Sequence, residues 1–209
     1  MPSAARLNFE RHLLKDVDAL IKAHREGLGR GRPPSVLTRS GTFLLCAAWE
    51  LYCEEVLLES FSHILARCGA PTNLHLNVQK TLASAIKNEK SELAPLQLAG
   101  DGWKSYLNTL AETRVKQLNT PSVANITELF SRIVGVDVTP SLQPHEIRLK
   151  SFISKRGDIA HQGAQAGHVS ITDLEADKLF ICGLVVELDN FLIAPVQQIS
   201  GHRPWNARR

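Results

Sequence analysis

The 209-residue sequence lacks the long apolar segments that mark membrane and secreted proteins. No run approaches the roughly 20 uninterrupted apolar residues that a membrane-spanning helix needs. The N-terminus, MPSAARLNFERHLLKD, carries charges throughout and has no apolar core of the kind found in signal peptides. We therefore expect a cytoplasmic protein that does not associate with a membrane.

Cysteine is scarce, and its spacing is not that of a metal or redox site. The four cysteines are Cys46, Cys53, Cys68 and Cys182, and no two of them form a C-x-x-C pair. Cys46 and Cys53 lie seven residues apart in a strongly apolar stretch, as core residues of one helix do. We expect reduced thiols rather than disulfides or zinc ligands.

The motifs that bind cofactors and metals are also missing. The sequence contains no G-x-G-x-x-G, no P-loop and no H-E-x-x-H, and its eight histidines are scattered. It therefore predicts no cofactor and no metal site.

Charge is nearly balanced, with a formal net charge of +3, which is too small to identify a nucleic-acid partner. The distribution is more informative, because two basic stretches stand out: GRGRPP at residues 29–34 and HRPWNARR at residues 202–209. They are either a solvated loop and a frayed terminus, or places where phosphate groups bind.

Helical periodicity dominates the sequence, and nothing is typical of a strand run. The pattern predicts an all-α helical bundle with a four-helix up-and-down core and extra helices. Residues 36–68 are the predicted central helix, since FLLCAAWELYCEEVLL is apolar on nearly every face. The other main predicted helices cover residues 4–26, residues 144–161 and a final segment that begins near a Thr172–Glu175 capping box and ends at Pro195.

The chain is predicted to be one domain, residues 1–209, with residues 73–140 as a helical insertion. Three shorter helices are expected there, over about 77–88, about 103–118 and from Asn125, where Glu128 completes a capping-box pattern.

The segment EIRLKSFISKRGDIAHQG, residues 146–163, carries the candidate chemistry. On a helical wheel Arg156 falls in the middle of an apolar arc. The arc consists of Leu149, Phe152, Ile153, Ile159 and Ala160. A buried guanidinium needs a carboxylate, a ligand or an interface, and a pairing with Glu50 or Glu54 is the purely structural alternative.

His161 follows Arg156 by five residues, which in an ideal helix is roughly 140° around the axis and about 7.5 Å along it. The two side chains would therefore not face one point. They can converge only if the helix unwinds near Gly163, or if a second subunit supplies a matching motif.

The pattern Arg156-x4-His161 at the end of a bundle helix resembles the signature of the HEPN superfamily. The apolar spine at residues 40–59, with its Trp49-Glu50-Leu51-Tyr52 stretch, is similar to the matching helix of bacterial branches such as RiboL-PSP-HEPN. In the family a polar residue commonly follows the arginine directly. Here Gly157 takes that place, and the acid comes one position later at Asp158.

The resemblance implies an endoribonuclease that uses no metal, acts as a toxin or defence effector, and leaves a 2′,3′-cyclic phosphate. It implies RNA as substrate, a homodimer through the motif helix, and a cognate antitoxin or a nucleotidyltransferase as a further partner. The expected roles are catalysis for Arg156 and His161, support for Asp158 and Glu50, and RNA contact for Arg30, Arg32 and Lys155.

Two other readings stay open at this point. A non-catalytic bundle of the same type would bind a nucleotide, an RNA or a protein partner through these residues. A plain helical dimerisation module would use them for structure alone. Breakdown of RNA by the purified protein in EDTA separates the first hypothesis from both.

Overall fold

A computed structural model describes residues 1–27 and 35–208 of the chain. Within those ranges the protein is all-α, without a strand, which confirms the predicted fold class. The α-helices are α1 (Ala4–Asn8), α2 (Lys15–Glu26), α3 (Ser35–Leu65), α4 (Leu76–Lys87), α5 (Gly102–Val115), α6 (Val123–Ile133), α7 (Thr139–Leu142), α8 (Glu146–Gln162) and α9 (Ile171–Ser200). The four-helix up-and-down arrangement of the core stays a prediction.

Helix α3 is the central element, and α2, α8 and α9 pack around it. Its side chains are buried on several faces, as the apolar run predicts; Trp49, Tyr52 and Phe61 are among the largest. The hydroxyl of Tyr52 donates a hydrogen bond of 3.1 Å to the carbonyl oxygen of Val185 in α9. Gly41 of α3 likewise lies against Leu174 of α9. Both pairs are 133 residues apart along the chain, so α3 and α9 run parallel.

Helix α9 has 30 residues and differs from the prediction at both ends. Its capping box is Ser170 with Asp173, two residues before the predicted Thr172–Glu175 pair, because two such patterns overlap in the sequence. The helix also continues through Pro195 to Ser200 and ends at Gly201, whose φ of 72° is left-handed. Proline removes one backbone donor, and burial of the neighbouring Val196 holds the last turn in place.

Helix α9 also has the length and composition of a membrane span. Its most apolar 18-residue window has a mean hydropathy of 1.9, and half of that window is buried inside the fold. Leu174, Ile181 and Leu188 are among its fully buried residues, as in the core helix of a bundle.

The segment 73–140 contains the three predicted shorter helices, α4, α5 and α6. Helix α6 begins earlier than expected, because the hydroxyl of Ser122 accepts a hydrogen bond from the backbone N–H of Asn125 and is the N-cap. The indole N–H of Trp49 donates to the carbonyl oxygen of Pro121 at 3.2 Å, so the loop before α6 is tied to α3. Its status as an insertion stays a prediction.

Both ends of the described chain are fastened around Asp189 of α9. The hydroxyl of Ser3 donates to the Asp189 carboxylate, and the indole N–H of Trp205 donates to the Asp189 carbonyl at 3.0 Å. Trp205 is buried, so residues 202–208 are docked on the bundle and are not a frayed tail. The GRGRPP stretch at residues 29–34 lies outside the described residues.

Candidate functional site

The motif helix α8 is an unbroken α-helix from Glu146 to Gln162, and it ends at Gly163 with a φ of 54°. Leu149 and Phe152 are buried, and α8 packs against α3 along this face. Arg156 follows one turn after Phe152 on the same face. The helix does not unwind before His161. The side chains of Arg156 and His161 in one chain therefore do not converge through unwinding near Gly163.

Arg156 lies against α3 and is half-buried. Its guanidinium carbon is 5.1 Å from the ring centroid of Phe43, a cation–π arrangement. Within the described ranges no carboxylate oxygen lies within 4 Å of it, so Arg156 is not ion-paired with Glu50 or Glu54. The guanidinium donors therefore remain available to a ligand.

The acidic groups of α3 near Arg156 hold their protons more strongly than usual. Burial raises the pKa of Glu50, and the positive charge of Arg156 opposes that rise. Burial and the neighbouring Glu50 raise the pKa of Glu54 to about 7. Burial also raises the pKa of the Cys46 thiol to about 11, again against the effect of Arg156. The Glu54 carboxyl is therefore only partly ionised at neutral pH.

Two other cations of α8, Arg148 and Lys155, contact α9. The ammonium of Lys155 pairs with Asp177 at 2.8 Å, and Asp177 is buried. The guanidinium carbon of Arg148 lies 4.2 Å from the Phe180 ring centroid, and the group donates to the carbonyl oxygen of Ala176 at 2.9 Å. RNA contact by Lys155 stays a prediction, and Arg30 and Arg32 lie outside the described residues.

His161 is exposed near the end of α8, and Asp158 is exposed one turn earlier. Arg156 faces α3 while His161 faces solvent, so one chain does not bring these two side chains to a common point. The structure instead places Arg156 near Glu50, and His161 on the same side of the helix as Asp158. The supporting roles of Asp158 and Glu50 stay predictions.

A groove of about 160 Å³ lies beside the end of α8, between that helix and the loop that leads to α9. Lys155, Asp158, His168 and Asp173 contribute its polar lining. Hydrogen bonds from Ser170 lower the pKa of Asp173. His168 was not singled out from the sequence; the available signal was its position in the glycine-containing loop directly after the motif helix.

Potential metal ligands do not gather in this region. Among the described residues no group of three or more histidine, cysteine, aspartate or glutamate side chains is placed to hold a metal ion.

Searches of curated proteins and of solved structures found no match. The family model of RiboL-PSP-HEPN matches residues 8–194, which includes the apolar spine, the middle segment and the Arg156–His161 motif. The match covers most of the 209 residues, and the all-α architecture agrees with it. The chain therefore belongs to the RiboL-PSP-HEPN family.

Proposed function

We propose that the protein is a metal-independent endoribonuclease whose catalytic residues are Arg156 and His161. The observation that supports this most is the state of Arg156. It is a half-buried arginine without an ion pair among the described residues, on the same helix as an exposed histidine. A guanidinium in that state can bind a phosphate through two parallel hydrogen bonds.

The chemistry suits these two side chains. An imidazole accepts the proton of a ribose 2′-hydroxyl while the 2′-oxygen attacks the adjacent phosphorus. The bond from phosphorus to the 5′-oxygen breaks, and a second imidazole donates a proton to that leaving oxygen. The products are a 2′,3′-cyclic phosphate and a 5′-hydroxyl end. Arg156 would stabilise the negative charge that develops on the phosphate oxygens.

A homodimer would provide the second histidine. The side of α8 that turns away from α3 carries Ile147, Ser151, Ser154, Asp158 and His161, and all five are exposed. Ile147 is 89% exposed and is available for a partner to cover. Two α8 helices that pair through this side beside a two-fold axis would bring both His161 side chains to one cleft.

Mixing of wild-type and inactive chains tests this arrangement directly. Arg156→Ala and His161→Ala proteins are each expected to lose RNA cleavage in EDTA, by about 10²–10³ and about 10²–10⁴ respectively. Wild-type and His161→Ala chains are unfolded together, refolded at equal concentration and assayed. Roughly a quarter of the dimers should then hold two wild-type chains, and only these have both imidazoles in one cleft, so activity should fall to roughly a quarter of that of the same total amount of wild type.

The same refolding of each protein alone is the control. An activity of about half of wild type would show that each wild-type chain acts independently of its partner, and the shared cleft would be wrong. A monomeric mass by light scattering at micromolar concentration would also contradict it. Full cleavage by folded His161→Ala protein, or a strict requirement for a divalent metal, would end the proposed mechanism.

A toxin or defence role in the cytoplasm, held in check by an antitoxin or nucleotidyltransferase partner, extends the proposal. Expression of the wild-type chain should then arrest growth, and the His161→Ala chain should not. Equal toxicity of the two chains would contradict this role.

A binding role without catalysis is the second candidate. The observation that favours it is that His161 forms no hydrogen bond with any residue in the described ranges, so nothing in one chain orients its ring. Tight RNA or nucleotide binding by wild-type protein, without cleavage, would support this candidate instead.

A further inference from the structure

A second polar groove lies away from the motif helix, between α4, α6 and the C-terminal end of α5. It consists of two adjoining hollows of about 260 and 400 Å³, which share Thr81, Arg114, Glu128 and Arg132. We refer to it as the α4–α6 groove. Neither the family match nor the Arg156–His161 motif assigns a role to it.

The sequence of the two flanking helices explains why the groove is polar. In α4 the residues that line it recur at helical spacing, from Asn77 through Lys80 and Thr81 to Ser84, while Val78 and Leu82 are buried. In α6 the lining residues Asn125, Glu128 and Arg132 follow the same spacing, while Ile126, Phe130 and Ile133 are buried or nearly so. Each helix thus packs one face and turns a polar face to the groove.

The two flanking helices are held in register by a direct contact. The side-chain amide of Asn77 donates to the hydroxyl of Ser131 at 2.8 Å. The loop at the far end of the groove is also fixed, through the hydrogen bond from Trp49 of α3 to Pro121. The groove is therefore held in shape by contacts within the fold, and it is joined to α3, the helix on which Arg156 packs.

The charge of the lining favours an anionic ligand. Lys80, Arg114 and Arg132 face one acid, Glu128, which pairs with Arg132 at 2.8 Å. Lys80 and Arg114 make no ion pair with any residue in the described ranges. The lining therefore carries a net charge of +2, from three cations and one anion, in a chain whose total is +3.

The lining also indicates which part of a nucleic acid would bind. Neither hollow has a phenylalanine, tyrosine or tryptophan in its wall, so no ring is available on which a base could stack. Arginine, lysine and amide donors are the groups that hold phosphate oxygens. Two adjoining hollows suit an extended strand better than one compact ligand.

We propose that the α4–α6 groove binds the sugar-phosphate backbone of single-stranded RNA, as a contact surface additional to the cleavage site. This proposal rests on the proposed ribonuclease function for the identity of the ligand. The cations Lys80 and Arg114 would each contact a phosphate, and Arg132 would do so at the cost of its pairing with Glu128.

The test measures binding of a fluorescein-labelled, single-stranded RNA of a dozen nucleotides, by anisotropy over a range of salt concentrations. All proteins carry His161→Ala so that the RNA stays intact. The variant is Lys80→Ala with Arg114→Ala. The matched control is Lys90→Ala with Lys116→Ala, in which Lys80 and Arg114 are intact. It removes the same charge from two exposed lysines of the same segment that lie outside the groove.

The groove variant should bind roughly tenfold more weakly, and the slope of log K against log salt should shrink by about 1.4, since each phosphate contact to a single strand contributes about 0.7. The control should change binding less than twofold. Glu128→Gln should tighten binding, because it frees Arg132. Thermal melts of the groove variant and the control should be unchanged, since the lysines and the arginine replaced in them are exposed and make no ion pair in the described ranges.

Equal losses for variant and control, or no loss for either, would overturn the proposal. Displacement of the RNA by a labelled glutamate-rich peptide that binds more tightly would assign the groove to an acidic protein segment instead. Cleavage of a dinucleotide in EDTA, measured with His161 restored, tests the ribonuclease function separately from RNA binding by the α4–α6 groove. Absence of cleavage by wild-type protein refutes the proposed function, whereas the anisotropy result alone decides the groove.

Discussion

Two arginines of this protein lie in the fold in opposite states. Arg6 of α1 is 2% exposed, and three groups lie close to its guanidinium. Its Nε donates to Glu10 at 2.6 Å, its Nη1 donates to the carbonyl oxygen of Arg208 at 2.8 Å, and the Asp189 carboxylate lies 3.9 Å away. Arg156 of α8 is half-buried and lies against the Phe43 ring, with no ion pair in the described ranges.

These two states distinguish a structural arginine from a functional one. A buried charge is tolerated when it is paired and hydrogen-bonded, and Arg6 meets that condition while it joins the two ends of the chain. Arg156 keeps its guanidinium partly in water and supports it with an aromatic face. Such a guanidinium has unused hydrogen-bond donors. These donors add nothing to the stability of the fold, but a phosphate ligand requires them.

Removal of the structural arginine should have the largest effect on stability. Arg6→Ala leaves Asp189 buried without a cation and is expected to lower the free energy of unfolding by about 3–5 kcal/mol. Urea denaturation measures it, with Arg11→Ala as the control. Arg11 is exposed and should change stability by less than about 0.5 kcal/mol. Equally small changes in the free energy of unfolding for both substitutions would show that Arg6 is not a structural arginine.

Asp189 gives the Arg6 cluster a pH dependence. Burial raises the pKa of Asp189 to about 6, against the opposing effects of Ser3 and Arg6. The folded-state pKa exceeds the unfolded value near 4. The contribution of this group to stability is therefore fully present below about pH 4 and is lost as the pH rises through about 6.

The Asp189→Asn variant should lack this part of the pH dependence, which amounts to roughly 3 kcal/mol between those limits. Unfolding free energies at several pH values from 4 to 8 measure it, and the readout is the slope rather than the stability at one pH. Identical slopes for variant and wild type would show that another group carries the dependence.

Replacement of Phe43 should have the smallest effect on stability. Phe43→Leu keeps an apolar side chain against Arg156 but removes the π-face, so the expected loss in stability is about 0.5–1 kcal/mol. RNA cleavage should fall a few-fold as the guanidinium loses its fixed position. Thermal melts and cleavage rates on the same preparations check both, with Val36→Leu, on the exposed side of α3, as the control.

The sequence was sufficient for the helices because their apolar spacing repeats over many residues. It predicted α3, α8 and the shorter helices of the middle segment closely. It failed at Pro195, where tertiary packing carries the helix past a residue that breaks helices locally. It also misplaced the N-caps of α6 and α9 by two or three residues, where several serine, threonine and asparagine residues compete for one cap.

The candidate site could be predicted only in part. The odd position of Arg156 on an apolar arc is visible in the sequence, but its contact with Phe43 joins residues 113 positions apart. The Arg6–Asp189 cluster was missed entirely for the same reason, since no local pattern links the first turn of the chain to α9. The grooves beside His168 and between α4 and α6 likewise form only when separate helices meet.

We expect Arg156 to serve a ligand and not the fold, and a paired measurement on Arg156→Ala distinguishes the two roles. Thermal melts and RNA cleavage in EDTA are recorded on the same preparation, with Arg148→Ala as the control, because Arg148 is the arginine of α8 that packs on Phe180. We predict that Arg156→Ala keeps its melting temperature within a few degrees and loses about 10²–10³ in cleavage rate. Arg156→Lys should be nearly as impaired, because an ammonium lacks the bidentate fork. A loss of about 3–5 kcal/mol in stability, with cleavage that falls only in proportion to the folded fraction, would contradict the account.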